Sequence, residues 1–100
     1  MEFTKHKVEG TLTVRVKGRL DTNTAPELEK DLLEEIEGVK KLDLELSELD
    51  YISSAGLRVV LMLHKTLTNK KGTLTVIKPK EEVMAVFDMT GFSGFLNIEE

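Results

Sequence analysis

The chain contains no cysteine. A disulfide framework, thiol catalysis and zinc–thiolate sites are therefore excluded. Long apolar runs are also missing. Nothing approaches the roughly 20 residues that cross a bilayer, and the opening MEFTKHKVEG lacks the apolar stretch of a secretion signal. A cytoplasmic location without membrane insertion is expected. Positive charge is not in excess, with 14 Lys and Arg against 18 Asp and Glu, a net charge of -4. Duplex nucleic-acid binders need clustered positive charge, so no direct nucleic-acid partner is expected. HExxH, EF-hand and GxxxxGK[ST] patterns are absent, and with them the usual signals for a metal or phosphate cofactor.

What is present is a foldable composition. Apolar residues make up 40% and charged residues 32% of 100 positions, which fits neither a disordered nor a membrane chain. That length supports one core, so residues 1–100 are expected to form a single domain. Thr11–Lys17 alternates strictly, with Leu12, Val14 and Val16 on one face. Glu9-Gly10 is a turn signal between it and Phe3–Val8, giving an antiparallel hairpin. Gly18 is expected to break the second strand. Thr24-Ala25-Pro26-Glu27 reads as a capping box with Pro26 in the first turn. The helix it opens places Ala25, Leu28, Leu32 and Ile36 on one face and stops near Gly38.

Lys41–Leu46 alternates again as a strand, and Ser47–Ile52 is expected to be a strand-to-helix loop. A long apolar helix follows over about Ser54–Asn69, ended by Lys71-Gly72. Thr73–Ile77 is a further strand. Pro79 is expected to start a third helix with Val83, Val86 and Phe87 buried and Gly91 as its stop. Phe92–Ile98 can add a last short strand. The order β-β-α-β-α-β-α-(β) is an α/β fold with parallel strands, right-handed crossovers and a mixed sheet, since the first hairpin is antiparallel.

Few side chains can do chemistry. His6 lies in the first strand. His64 falls among Leu57, Val60 and Leu61 on a helical wheel and reads as a core-edge histidine with a satisfied nitrogen. A catalytic base needs a partner in hydrogen-bond reach, and the local sequence supplies none for either. The segment that departs from its local pattern is Asp50-Tyr51-Ile52-Ser53-Ser54-Ala55-Gly56-Leu57, with two serines where a loop becomes a helix. Free amides at such a start favour anions. A serine there can cap, act as a nucleophile or carry a phosphate. The G-x-S-x-G elbow of hydrolases is not matched, because Ile52 stands where the first glycine belongs. Gly56 fits a close backbone approach.

Taken in order, Gly18-Arg19-Leu20-Asp21, Thr24-Ala25-Pro26-Glu27-Leu28, Leu42-Asp43-Leu44, Tyr51–Leu57 and Phe87-Asp88-Met89-Thr90-Gly91-Phe92 resemble the STAS domain of bacterial anti-sigma factor antagonists. The resemblance covers nearly all of the chain. It implies a mixed sheet with helices packed on it, and a binding protein rather than an enzyme. It further implies that the dephosphorylated form captures an anti-sigma factor that is also a serine kinase, freeing a sigma factor and so regulating transcription. Phosphorylation ends the complex, and a PP2C-type phosphatase restores it. By motif position the acceptor is Ser54, with Ser53 second, and Asp21 is the acidic residue beside it. Ser53 stands where some members carry Asp. Members often continue with one more helix beyond the residues matching Asn97–Glu100, so either a less covered sheet edge or a different assembly is expected.

The partner-binding set expected from these features is Asp21, Thr22, Ser53, Ser54, Gly56, Arg58 and Met62. Asp21 is expected to be exposed in a loop near Ser54; the alternative is a turn residue that caps Asn23 or Thr24. On the wheel Lys65, Arg58, Asn69, Met62 and Thr66 share the polar arc of the serine-bearing helix. Met62 is the one large apolar side chain there, which marks it, with Arg58, as an extension of the binding surface. Two other functions are open to this reading. One is a STAS subunit of another system, such as a stress-signalling scaffold or a transporter partner. The other is a serine hydrolase using Ser54, Asp21 and a histidine.

Overall fold

A computed structural model describes Met1–Glu100. The elements are β1 (Glu2–Val8), β2 (Thr11–Leu20), α1 (Ala25–Glu35), β3 (Lys41–Ile52), α2 (Ser54–Asn69), β4 (Thr73–Ile77), α3 (Glu81–Thr90), a 3-10 turn (Phe92–Gly94) and β5 (Asn97–Glu99). They follow the order read from the periodicity. The strands make one sheet in the order β1-β2-β3-β4-β5. β1 is antiparallel to β2, and every later pair is parallel.

Parallel strands laid down in sequential order by right-handed crossovers put all three helices on one face. Burial matches this. Leu12, Val14 and Val16 of β2, Leu42, Leu44 and Leu46 of β3, and Leu74 and Val76 of β4 are all buried. Helix α1 adds Ala25, Leu28 and Leu32, α2 adds Leu57, Val59, Val60, Leu63 and Leu67, and α3 adds Val83 and Phe87. Each of these Leu, Val and Phe side chains is worth about 1.5–3 kcal/mol relative to exposure. The opposite face of the sheet is polar and carries the Arg15–Glu45 ion pair at 2.7 Å.

Several sequence expectations are corrected. Gly18 does not end β2. It adopts φ +96°, and the strand runs on to Leu20 with a register shift against β3 between Gly18 and Arg19. Ser47–Ile52 is not a loop but the second half of β3, paired irregularly with β2. A second shift between Arg15 and Lys17 destroys the period-2 signal there. The capping box does not form: Thr24 is the N-cap of α1, but its side chain makes no cap hydrogen bond. Helix α3 begins at Glu81, two residues after Pro79, and Val86 is only half-buried. The last segment is a 3-10 turn first and a strand only from Asn97.

Two helical-wheel assignments on α2 also change. Met62 is half-buried and packs against the core, and Leu61 is half-buried rather than internal. Neighbouring elements, α1 as well as the sheet, decide how far coverage of α2 extends, so wheel angle alone does not set burial. His64 is half-buried beside Phe95, with ring centroids 5.0 Å apart. Its Nδ1 is buried without a hydrogen-bond partner, contrary to the satisfied nitrogen expected.

Candidate functional site

The two serines fall into different roles. Ser53 is the N-cap of α2, in extended conformation, and its Oγ accepts a hydrogen bond from Gly56 N–H at 3.3 Å. Its carbonyl accepts from Leu57 N–H at 2.9 Å. Ser53 is half-buried and occupied by the cap. Ser54 is the first helical residue, exposed, and its hydroxyl is in none of the side-chain hydrogen bonds of the fold.

The helix start is joined to the end of β2. Ser53 N–H donates to the Leu20 carbonyl at 2.9 Å. Gly56 is what allows this approach. A Cβ there would lie 2.9 Å from Leu20 O and 2.7 Å from Ile52 Cγ1. Gly56 is buried, so it offers no surface to a partner and acts by setting the distance between β2 and α2. Asp21, one residue past Leu20, is thereby held beside the serine loop.

Asp21 is half-buried rather than exposed, its side chain 26% accessible. One carboxylate oxygen accepts from the Asn23 amide (3.0 Å) and the Thr24 amide (3.2 Å), and the Thr24 hydroxyl oxygen lies 3.2 Å from it. The turn-capping alternative therefore holds for this side chain. Desolvation pushes its pKa up. The bonds from Asn23 and Thr24 and the charge of Arg19 outweigh that, so the net shift is downward from 3.8. Thr24 is spent on the same turn. Its hydroxyl donates to Arg19 O and accepts from Asp21 N–H, both at 2.9 Å, which is why it does not cap α1. Thr22 is exposed at the tip of the turn.

Arg19 and Tyr51 belong to the same neighbourhood, although sequence reading assigned them no role. They are partners across β2 and β3, and the guanidinium lies 4.2 Å from the ring centroid. Arg19 Nε is also 3.8 Å from Asp21 Oδ2. Only the shifted register brings them together, so spacing could not have found them. Asp50, at the end of β3, pairs with Lys80 at the start of α3. The Lys80 hydrogen bond and charge hold its carboxyl below the usual range.

Arg58 is exposed one turn beyond Ser54. It lines a cleft of about 320 Å³ with Leu61, Met62, Lys65, Thr66 and Asn69. Ser54, Arg58 and half-buried Met62 thus follow one another at four-residue steps along α2. No histidine joins them. His64 is ten residues beyond Ser54, about 15 Å at the usual helical rise, and His6 pairs with Thr13 at the far end of β2. No group of three or more acidic or histidine side chains is arranged to hold a metal ion. No helix is long and apolar enough to cross a membrane.

The STAS domain family matches this sequence over residues 2–100. The chain belongs to that family. Among its relatives is BtrV of Bordetella bronchiseptica, named as a candidate anti-sigma factor antagonist. It is 39% identical over 93 residues, covering 92% of this chain and 80% of BtrV. The anti-sigma-B factor antagonist of Staphylococcus epidermidis is 31% identical over 88 residues, covering 87% of this chain and 82% of the relative. In three dimensions the STAS chain resembles SpoIIAA, an anti-sigma factor antagonist. The unphosphorylated form superposes with a TM-score of 0.85 at 19% identity over 97% of this chain and 87% of SpoIIAA. The phosphorylated Bacillus form gives 0.79 at 19% identity over 97% and 90%. STAS domains of this kind are regulatory binding modules.

Proposed function

We propose that this STAS domain is an anti-sigma factor antagonist whose binding is switched by phosphorylation of Ser54. One observation carries the choice of residue. Ser54 is exposed with an uncommitted hydroxyl, whereas Ser53 is half-buried and holds the helix cap. The names of BtrV, the Staphylococcus protein and SpoIIAA support the partner class.

In this reading the dephosphorylated protein sequesters an anti-sigma factor that is also a serine kinase, and a sigma factor is released. The kinase transfers the γ-phosphoryl group of ATP to Ser54 Oγ. ADP leaves and the hydroxyl proton passes to a base of the kinase. A PP2C-type phosphatase hydrolyses the ester. The protein acts in the cytoplasm as one domain, binds no nucleic acid directly and catalyses nothing itself. Its partner surface is made by Thr22, Ser54, Arg58 and Met62, with Asp21, Ser53 and Gly56 shaping the loop beneath.

The physical basis is local. Phosphate adds about -1.5 to -2 charge at pH 7. It would stand beside the Asp21 carboxylate, at an interface that excludes water. An unpaired charge buried in that way is strongly unfavourable, and every 1.4 kcal/mol of it weakens binding about tenfold. No refolding is required.

The test is titration of the anti-sigma partner with three forms of the protein. Ser54→Ala should bind like the parent and resist phosphorylation. Ser54→Asp should bind at least about tenfold more weakly. Stoichiometric phosphate on Ser54→Ala after kinase treatment would refute the assignment.

A further inference from the structure

Arg58 is an exposed cation without a partner. It takes part in no ion pair of the fold. On the α1 side it borders a cleft of about 200 Å³ with Ala25, Pro26, Glu29, Ala55 and Val59. Glu29 is the only acid in that lining, and the two form no ion pair. Ser54 and Arg58 are four residues apart on α2, which places their Cβ atoms about 5–6 Å from one another on the same face. Long side chains on a helix lean back toward its N-terminus, so an arginine at the fifth position reaches for the first. An anion that precedes a cation by four residues is the favourable order of such a pair. The first turn of α2 has no acidic residue that would compete.

We propose that Arg58 is the internal counter-ion of the switch. It serves the partner surface while Ser54 carries a free hydroxyl, and it turns back onto the phosphate once Ser54 is modified. This rests on Ser54 being the acceptor and adds the residue that receives its charge. Phosphorylation then changes the surface twice: it adds a dianion and withdraws a cation from the partner.

The other charges around the loop point to Arg58. Arg19 already lies over the Tyr51 ring at 4.2 Å and faces Asp21 at 3.8 Å. Lys80 is taken by Asp50. Asp21, just past β2, is an acid bonded into its own turn and offers the phosphate no cation. Glu29 shares the α1 cleft with Arg58 but forms no ion pair with it, so the guanidinium is free. Arginine also suits the role chemically, because its planar fork can donate two parallel N–H bonds to phosphate oxygens.

The experiment uses the whole chain with phosphoserine installed at position 54 during translation, so no kinase is needed. The second pKa of the phosphate, near 6 for a free phosphoserine, is followed by phosphorus NMR. At low salt it should rise by about 0.3–0.7 units in Arg58→Ala, because the dianion loses its partner. Arg58→Lys should recover part of the shift. Near 1 M salt, where the screening length is about 3 Å, the difference should collapse. Unmodified Arg58→Ala should melt with the parent, showing that the fold is intact. An unchanged second pKa in Arg58→Ala overturns the proposal, and so does a shift produced by Arg19→Ala in its place. Either result leaves the Ser54 assignment standing. Failure of a kinase to modify Ser54 would in turn leave the installed phosphoserine to report on Arg58.

Discussion

Replacing Gly56 by alanine sets two effects against each other. Alanine is the better helix former by about 1 kcal/mol, which would stabilise the start of α2. Yet the added Cβ would lie 2.7 Å from Ile52 Cγ1, 2.9 Å from Leu20 O and 3.0 Å from Leu20 Cγ. Ile52 can rotate away. Leu20 O cannot retreat freely, because it accepts the Ser53 N–H bond at 2.9 Å that ties α2 to β2. Overpacking of this kind costs about 1–3 kcal/mol, and weakening a backbone bond adds roughly another 1 kcal/mol. The balance is a net loss of about 1–3 kcal/mol. For a domain of this size each 1 kcal/mol moves the midpoint by about 4–8 °C. Thermal melting of Gly56→Ala should therefore show a fall of at least about 4 °C. Because the same shift moves the Asp21 turn away from Ser54, binding to the anti-sigma partner should weaken at temperatures where the variant is still folded. A midpoint equal to or above that of the parent would show that helix propensity wins. The close contact between β2 and α2 would then be soft, and the account of how Asp21 is held beside Ser54 would fail.

Other substitutions probe the same turn and surface. Thr24→Val keeps the side-chain shape but orphans Arg19 O and Asp21 N–H, so it should cost about 1–3 kcal/mol in urea unfolding; a loss below about 0.5 kcal/mol would show those bonds to be unimportant. Asp21 has a lowered pKa in the folded state, so its contribution is present above 3.8 and is lost as the pH falls through the lower folded value. Asp21→Asn should accordingly be less stable than the parent at neutral pH and show a shallower acid limb below about pH 4; an acid limb identical to the parent's would contradict the hydrogen-bonding account. Met62→Ala should lower stability by about 1 kcal/mol, since the side chain is half-buried against the core, and should cost more than about 1 kcal/mol of partner binding. Unchanged affinity would remove Met62 from the surface.

The order of elements was legible because strict alternation and helical periodicity are local signals. Leu12-Val14-Val16, Leu42-Leu44-Leu46 and the stripe through Leu63 and Leu67 each report a face without reference to any other part of the chain. The exceptions depend on contacts between segments. Gly18 and Ser47–Ile52 carry bulges, and a bulge shifts the alternation by a residue, so a strand there imitates a loop. Thr24 has the sequence of a cap, yet its hydroxyl finds nearer partners in Arg19 and Asp21 once β2 runs on to Leu20. Met62 and Leu61 lie at the border of the buried stripe of α2, where a wheel cannot say how far coverage extends.

The sequence by itself determined the element order, the helix boundary at Ser53-Ser54 and, through the resemblance, the family. Those depend on residue type and spacing within one segment. Only the tertiary structure decided that Ser53 is spent on the cap while Ser54 is free, that Asp21 is half-buried and hydrogen-bonded, and that Arg19 lies over Tyr51. Each of these depends on the register of β2 against β3 and on the close approach of Leu20 to Gly56. That approach joins residues 36 positions apart, and it is fixed by how the sheet and α2 pack, which no local pattern encodes.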